Sequence, residues 1–84
     1  MSYIVIIERA ARKNLEKIRP PFFEAIDKKI LALETNPRPH GCKKLKGRDA
    51  WRIRVGDYRI IYKIKDDILQ IIIIEIDDRK QVYR

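Results

Sequence analysis

The spacing of apolar residues predicts a strand and two helices within the first 35 positions. Residues 3–7 are apolar at nearly every position, which is typical of a central strand, and residues 8–19 then change to helical spacing. The Pro20-Pro21 pair ends the first helix, and residues 21–35 repeat apolar side chains at three- and four-residue steps, as an amphipathic helix does. The two apolar stripes consist of Ala11, Leu15 and Ile18 and of Phe23, Ile26, Ile30 and Leu33.

Alternation of apolar and polar residues replaces helical spacing in the second half of the chain. Residues 36–41 form a loop by composition, since two prolines and a glycine exclude regular structure, and Leu45 is the expected anchor of the basic segment that follows. Three strands are predicted beyond it, at about 50–55, 58–65 and 68–76, with the last turn near Asp66-Asp67. The third strand is apolar on both faces and is therefore expected inside the sheet.

These elements follow the order β-α-α-β-β-β and occupy one domain, residues 1–84. This order predicts an α+β fold, in which a small, antiparallel-dominated β-sheet carries an N-terminal helical hairpin packed on one face. The opposite face of the sheet is left open for a ligand.

The most informative local signal is a hairpin, in which Gly56-Asp57 forms a two-residue loop between two alternating strands. This loop aligns Arg54 with Arg59 and puts both arginines and Arg52 on one face, opposite the aromatic and apolar side chains. Like charges placed opposite each other destabilise a strand pair by up to about 1 kcal/mol, so an anionic ligand is the simplest compensation. Continued alternation puts Leu69, Ile71 and Ile73 toward the helices and Ile72, Ile74 and Ile76 on the Arg59 face.

The positive charge is concentrated in the middle third of the chain. The net charge is +8, and residues 1–36, 37–65 and 66–84 carry +2, +8 and −2. A localised basic block favours a polyanion such as nucleic acid, or an acidic protein segment, over a merely solvated basic face. Neither apolar run reaches the roughly 20 residues of a membrane span, no secretory signal is visible, and the lone Cys42 forms no internal disulfide. We therefore expect a cytoplasmic protein with no membrane partner.

The basic residues limit the chemistry that the chain can perform. Arginine keeps its proton, so an arginine face supports phosphate binding and charge stabilisation rather than base catalysis. The chain has no Ser-His-Asp order, no glycine-rich phosphate loop and no metal-ligand spacing, and we expect neither a metal nor a cofactor. A lone histidine in a proline-rich loop is more often a surface residue than a base. Candidates for proton transfer are His40, Lys44, Lys46, Asp77, Asp78 and Tyr83.

Four segments carry a resemblance to a known family: Asn36-Pro37-Arg38, Lys44-Leu45-Lys46-Gly47, residues 51–62 and residues 78–84. Together they resemble a RelE-type toxin of the RelE/ParE toxin–antitoxin superfamily, and the resemblance covers essentially the whole chain. It implies a bacterial or archaeal type II toxin that enters the ribosomal A site and cleaves mRNA there, leaving a 2′,3′-cyclic phosphate. It also implies a RelB-like antitoxin that wraps the toxin and covers or distorts its basic site.

The resemblance also implies roles for individual residues. Arg52 and Arg54 are similar to a basic pair, lysines in RelE, that contacts the substrate and serves in proton transfer. Arg59 and Arg79 resemble arginines that hold the scissile phosphate, and Tyr83 resembles a C-terminal tyrosine that stacks on or orients the nucleotide. The residues expected to contact the RNA backbone are Lys43, Lys44, Lys46 and Arg48.

One departure from the family pattern bears on catalysis. Many relatives have Gly-His-Arg or Gly-Lys-Arg where this chain has Asp77-Asp78-Arg79. Asp78 is therefore a candidate acid or base, or a partner of Arg79 that weakens cleavage, because a carboxylate repels the scissile phosphate. Two alternatives stay open: a ParE-like inhibitor of DNA gyrase, which needs no RNA-cleaving residues, and a catalytically weak relative that acts mainly as an antitoxin-binding partner.

Overall fold

The computed structural model describes residues 2–78 of the chain. Within them the helices are α1 (Arg9–Glu16) and α2 (Phe22–Ala32), and the strands are β1 (Ile4–Ile7), β2 (Lys43–Lys44), β3 (Trp51–Val55), β4 (Tyr58–Lys65) and β5 (Gln70–Asp78). The sheet has the order β1-β5-β4-β3-β2, and its pairs are antiparallel except for β1 with β5. The α+β class is confirmed, and the short strand β2 is an addition to the predicted order.

The core lies between the two helices and one face of the sheet. At the predicted spacing, α1 contributes Ala11 and Leu15 and α2 contributes Ile26 and Ile30. Both helices end three residues earlier than predicted, because their last turns tighten to i→i−3 hydrogen bonds. The sheet side of the core consists of Ile53, Ile60, Tyr62, Ile71, Ile73 and Ile76.

Within the part of the chain described, neither helix is long and apolar enough to cross a membrane.

β1 lies at an edge of the sheet, which corrects its prediction as a central strand. Val5 and Ile7 pack against the core, whereas Ile4 and Ile6 are 65% and 41% exposed on the other face. Composition was misleading because isoleucines also occupy the exposed face of this edge strand. The prediction that the third long strand lies inside the sheet is correct, since β5 runs between β1 and β4.

A β-bulge in β5 changes which of its residues face the helices. Ile61 pairs with Glu75 while Tyr62 pairs with Ile73, so Ile74 is an extra residue in the ladder. The alternation is inverted beyond this point. The prediction that Ile76 shares the Arg59 face is therefore wrong, because Ile76 pairs with Ile60 and is buried in the core.

The turn before β5 also differs from the prediction. Residues 66–69 form it, and the strand begins at Gln70 rather than Ile68. Leu69 has a left-handed φ of 53° in this turn. Leu69 therefore lies in the turn and not, as predicted, on the helical face of the strand.

The loop between α2 and β2 is tied to the sheet by side chains. The hydroxyl of the buried Tyr62 donates a 2.7 Å hydrogen bond to the carbonyl oxygen of Pro37, and burial raises the pKa of Tyr62. The Arg38 guanidinium lies 5.2 Å from the centroid of the Trp51 ring, a cation–π distance. These contacts give the Asn36-Pro37-Arg38 segment a structural role.

Arg38 also pairs with the turn that precedes β5. Its Nη2 lies 2.8 Å from Oδ2 of Asp66, and the Tyr3 hydroxyl donates a 2.6 Å hydrogen bond to Oδ1 of the same carboxylate. The hydrogen bonds from Arg38 and Tyr3 lower the pKa of Asp66. Asp66 thus joins the N-terminal segment, the loop after α2 and the turn between β4 and β5.

Candidate nucleic-acid interface

The hairpin has the predicted register, which builds the basic face of the sheet. The Gly56-Asp57 loop joins β3 and β4, and all five predicted pairs are present, including Arg54 with Arg59. Gly56 has a φ of 59°, which a residue with a side chain rarely adopts. A Cβ there would also lie 3.5 Å from the Phe22 ring of α2. Glycine at the first loop position therefore fixes the turn and, through it, the arginine alignment.

Two rows of side chains cross the sheet on the face opposite the helices. We call this surface the arginine face. Its first row runs from β3 to β5 and consists of Arg54, Arg59 and Asp77. Its second row runs from β2 to β5 and consists of Lys43, Arg52, Ile61 and Glu75. The three predicted sheet arginines therefore share one surface, and the bulge adds two carboxylates to it.

Arg59 lies between Arg54 and Asp77 in the first row. Its Nη2 lies 3.7 Å from Oδ2 of Asp77, and the two side chains are 29% and 27% exposed. This distance is longer than a hydrogen bond. The Nε of Arg59 is buried and has no hydrogen-bond acceptor among residues 2–78. Because the Asp77 carboxylate is beyond hydrogen-bond distance, the Nη groups of this partly exposed guanidinium are suited to an added anion.

The basic segment from Lys43 to Arg48 divides between two locations. Lys43 lies on the arginine face, and Arg48 reaches from the β2–β3 loop to Glu75, with 3.3 Å between Nη2 and Oε1. Lys44 pairs with Trp51 and therefore lies on the other face, where its Nζ donates a 3.0 Å hydrogen bond to the Arg48 carbonyl oxygen. Lys46 is exposed in a turn. Lys43 and Arg48 therefore lie at the arginine face, whereas Lys44 stabilises the β2–β3 loop through its hydrogen bond to Arg48.

The two aspartates at the end of β5 face opposite sides of the sheet. Asp77 pairs with Arg59, whereas Asp78 pairs with Tyr58 and lies on the helical side. Asp78 lines a cavity of about 320 Å³, which is otherwise formed by Asn14, Lys17, Ile18, Tyr58, Ile76 and Asp77. The acid or base role of Asp78 stays a prediction, but Asp77 is the member of the pair that lies beside Arg59.

Other predicted residues lie elsewhere or beyond the described part of the chain. His40 is exposed in the loop after α2. Arg79 and Tyr83 fall outside residues 2–78, so their roles stay predictions. Among the described residues no three His, Cys, Asp or Glu side chains come together as a metal site.

The sequence contained a signal for the two carboxylates that was missed. Strict alternation from Ile71 would direct Glu75 and Asp77 toward the helices, where burying a charge without a partner is costly. The order Glu75-Ile76-Asp77 fits a shifted alternation instead, with Ile76 in the core. A polar residue at an expected core position thus indicated a bulge nearby.

The chain is similar to toxins of known families along its whole length. It matches the family model of the ParE toxin of type II toxin–antitoxin system, parDE, over residues 5–83. Over its full length it is 33% identical to RelE1, a candidate toxin of Methanocaldococcus jannaschii, and 31% identical to toxin RelG of Mycobacterium tuberculosis, covering 98% and 99% of those proteins. It superposes with a TM-score of 0.84 and 29% identity on a chain of the archaeal RelE–RelB complex from Pyrococcus horikoshii, covering 94% of this chain and 97% of that chain.

Proposed function

Because the chain belongs to the ParE toxin family of type II toxin–antitoxin systems, within the RelE/ParE superfamily, we propose that it is a ribosome-dependent endoribonuclease that cleaves mRNA and inhibits translation. The observation that carries this proposal is the alignment of Arg54 with Arg59, beside Arg52, on a sheet face that the helices leave uncovered. Such a surface is suited to bind the phosphates of an RNA strand.

Charge stabilisation is the chemistry that this surface supports best. When the 2′-hydroxyl of RNA attacks the adjacent phosphorus, negative charge accumulates on the phosphoryl oxygens. Guanidinium groups already fixed near that position lower the energy of the transition state. Arg59 is the best placed for this role, because its side chain is held between neighbouring strands and its Nη2 lies beyond hydrogen-bond distance of Asp77. Arg52 and Arg54 then hold the adjoining backbone.

Proton transfer requires groups other than these arginines. We assign a second phosphate contact to Arg79 and stacking on the nucleotide to Tyr83, as the family resemblance implies. Asp78 is a candidate acid or base, and its place on the helical side of β5 means that substrate must reach the rim of the sheet to meet it. Lys43, Lys46 and Arg48 extend the proposed contact with the RNA backbone.

Mapping of RNA ends in a translation extract tests this function. A reporter mRNA with an open reading frame is compared with the same RNA lacking its start codon, and cut positions are read by primer extension. We expect cuts within codons in the translated RNA only. Equal cutting of the untranslated RNA contradicts ribosome dependence, and intact RNA in both samples contradicts the nuclease assignment.

Inhibition of DNA gyrase is the second candidate function. Two observations favour it: the matching family model is that of ParE, and Glu75 and Asp77 neutralise part of the arginine face. A supercoiling assay with purified gyrase separates the two functions. Inhibited supercoiling together with intact translated mRNA would select this alternative.

A RelB-like antitoxin is the proposed protein partner. The structural relative from Pyrococcus horikoshii was solved as a RelE–RelB complex, and a net charge of +8 favours an acidic partner. Ribosomes and mRNA as targets imply action in the cytoplasm. Co-expression with a short acidic reading frame adjacent to this gene, followed by co-purification, tests the partner. Separate elution of the two proteins at physiological salt contradicts it.

A further inference from the structure

The bulge in β5 gives Arg59 a neighbour of opposite charge. Arg59 lies between Arg54 on β3 and Asp77 on β5, in one row across the sheet. If Ile74 were instead a paired member of a regular ladder, continued alternation from Ile71 and Ile73 would direct Asp77 to the helical face. The fold therefore places a carboxylate beside the guanidinium that is best suited to bind phosphate.

We propose that Asp77 is a built-in competitor of phosphate: in the free protein its carboxylate occupies the Arg59 guanidinium, and a bound phosphodiester displaces it. This inference rests on the proposed function for the identity of the polyanion, a single-stranded RNA. Asp77 thereby sets the affinity of the arginine face for its ligand. It also relieves the repulsion between Arg54 and Arg59 while no ligand is bound.

The geometry of the pair supports displacement. The 3.7 Å between Arg59 Nη2 and Asp77 Oδ2 allows Coulomb attraction without a short hydrogen bond. Both side chains are a little over one quarter exposed, so solvent and ligand reach the pair. The same face contains a second pair, Arg48 with Glu75 at 3.3 Å. Two arginines of this face therefore have a carboxylate of β5 as a neighbour.

Substitution of Asp77 by asparagine keeps the shape of the side chain and removes its charge. Asp67→Asn is the matched control, because it changes the net charge equally at an exposed turn residue away from the arginine face. Fluorescence anisotropy with a labelled single-stranded RNA of ten nucleotides measures affinity at constant salt. We expect Asp77→Asn to tighten binding about three- to tenfold, and Asp67→Asn less than about twofold, since Coulomb attraction falls with distance.

The tighter RNA binding of Asp77→Asn must depend on Arg59. In an Arg59→Ala background, Asp77→Asn should therefore leave RNA affinity nearly unchanged. Equal affinities of the Asp77→Asn and Asp67→Asn variants would overturn the proposal. So would a gain of the same size in the absence of Arg59.

A second measurement does not depend on RNA. The melting temperatures of wild type, Asp77→Asn and Asp67→Asn are recorded in chloride and in inorganic phosphate at equal ionic strength. We expect Asp77→Asn to melt lowest in chloride and to gain most from phosphate, which takes the place of the lost carboxylate. If neither wild type nor the variants bind RNA but phosphate still raises the melting temperature of Asp77→Asn most, the competitor role is supported and RNA as the ligand is contradicted. If phosphate raises the melting temperatures of Asp77→Asn and Asp67→Asn equally and neither variant binds RNA, the competitor role is contradicted.

Discussion

Arg54 and Arg59 lie directly opposite each other in the β3–β4 hairpin, and Asp77 continues their row on β5. One carboxylate is thus next to a pair of guanidinium groups that repel each other. Like charges at such positions destabilise a sheet, whereas side-by-side guanidinium groups favour a phosphate backbone. If the proposed function is correct, the hairpin is locally less stable in exchange for phosphate binding, a trade-off common at functional sites.

Replacing Arg54 by threonine should stabilise the free protein and weaken its binding to RNA. The substitution removes the repulsion with Arg59 and introduces a residue that favours strands, so we expect a gain of about 0.2–1 kcal/mol in the free energy of unfolding. Urea unfolding measures this change. Lys65→Thr, at the exposed end of β4, is the control and should give a smaller gain. A less stable Arg54→Thr protein would contradict the repulsion.

Asp66 should make stability depend on pH in the acidic range. Its folded-state pKa is lowered by Arg38 and Tyr3, while the unfolded value is about 3.9. The stabilisation is therefore complete above that value and disappears as pH falls through the folded-state pKa. We expect Asp66→Asn to be less stable than wild type at pH 7, and the difference to shrink below about pH 4.

Unfolding of both proteins between pH 7 and pH 2.5 measures this difference. Asp67→Asn is the control, since Asp67 lies in the same turn and the described hydrogen bonds of Arg38 to this turn go to Asp66. A difference between Asp66→Asn and wild type that stays constant across the range would count against the ion pair.

The Tyr62 hydroxyl should hold the loop after α2 in place. Tyr62→Phe removes the 2.7 Å hydrogen bond to the Pro37 carbonyl oxygen, and we expect a loss of about 1 kcal/mol in the free energy of unfolding. Hydrogen exchange of amides in residues 38–42 should accelerate in this variant. Tyr58→Phe is the control and should change stability by less than about 0.5 kcal/mol. Equal effects of the two substitutions would contradict the role of the Tyr62 hydroxyl in holding this loop.

The sequence was sufficient to predict the hairpin but not the whole sheet. A two-residue loop fixes the register of its strands, so the alignment of Arg54 with Arg59 follows from Gly56-Asp57 and strict alternation. The run of residues 71–74 is uniformly apolar, and nothing in it indicates where the alternation shifts. The side-chain partners of Asp77 therefore depended on a bulge that only the three-dimensional pairing locates.

The candidate site was predictable to a similar extent. Arg52, Arg54 and Arg59 were placed on one face because their strands alternate regularly. Lys44 was grouped with the RNA contacts through the family resemblance, yet its pairing with Trp51 puts it on the opposite face. Segment composition does not determine the direction of a side chain, because a two-residue strand such as β2 has no readable period.

The bulge leads to an unusual expectation for deletions in β5. Removing one isoleucine from residues 71–74 restores a regular ladder and keeps Glu75 and Asp77 on the arginine face, so the protein should fold. Removing Ile76 instead places a carboxylate at a core position, which should cost at least about 2 kcal/mol and prevent stable folding. Circular dichroism and thermal melting of the two deletions measure the difference. Two equally stable deletions would contradict the assigned register.

The rate of mRNA cleavage by the Arg59→Ala variant tests the central role of the arginine face most directly. It is measured on a translated reporter at equal concentrations of wild type, Arg59→Ala and the control Lys29→Ala, at an exposed position of α2 on the other side of the sheet. Because a fixed donor to the developing charge is worth about 10²–10³ in rate, we expect Arg59→Ala to lose about 100-fold or more and Lys29→Ala to stay within about threefold of wild type. Cleavage by Arg59→Ala at the wild-type rate would contradict the proposed role of Arg59 and of the arginine face in mRNA cleavage.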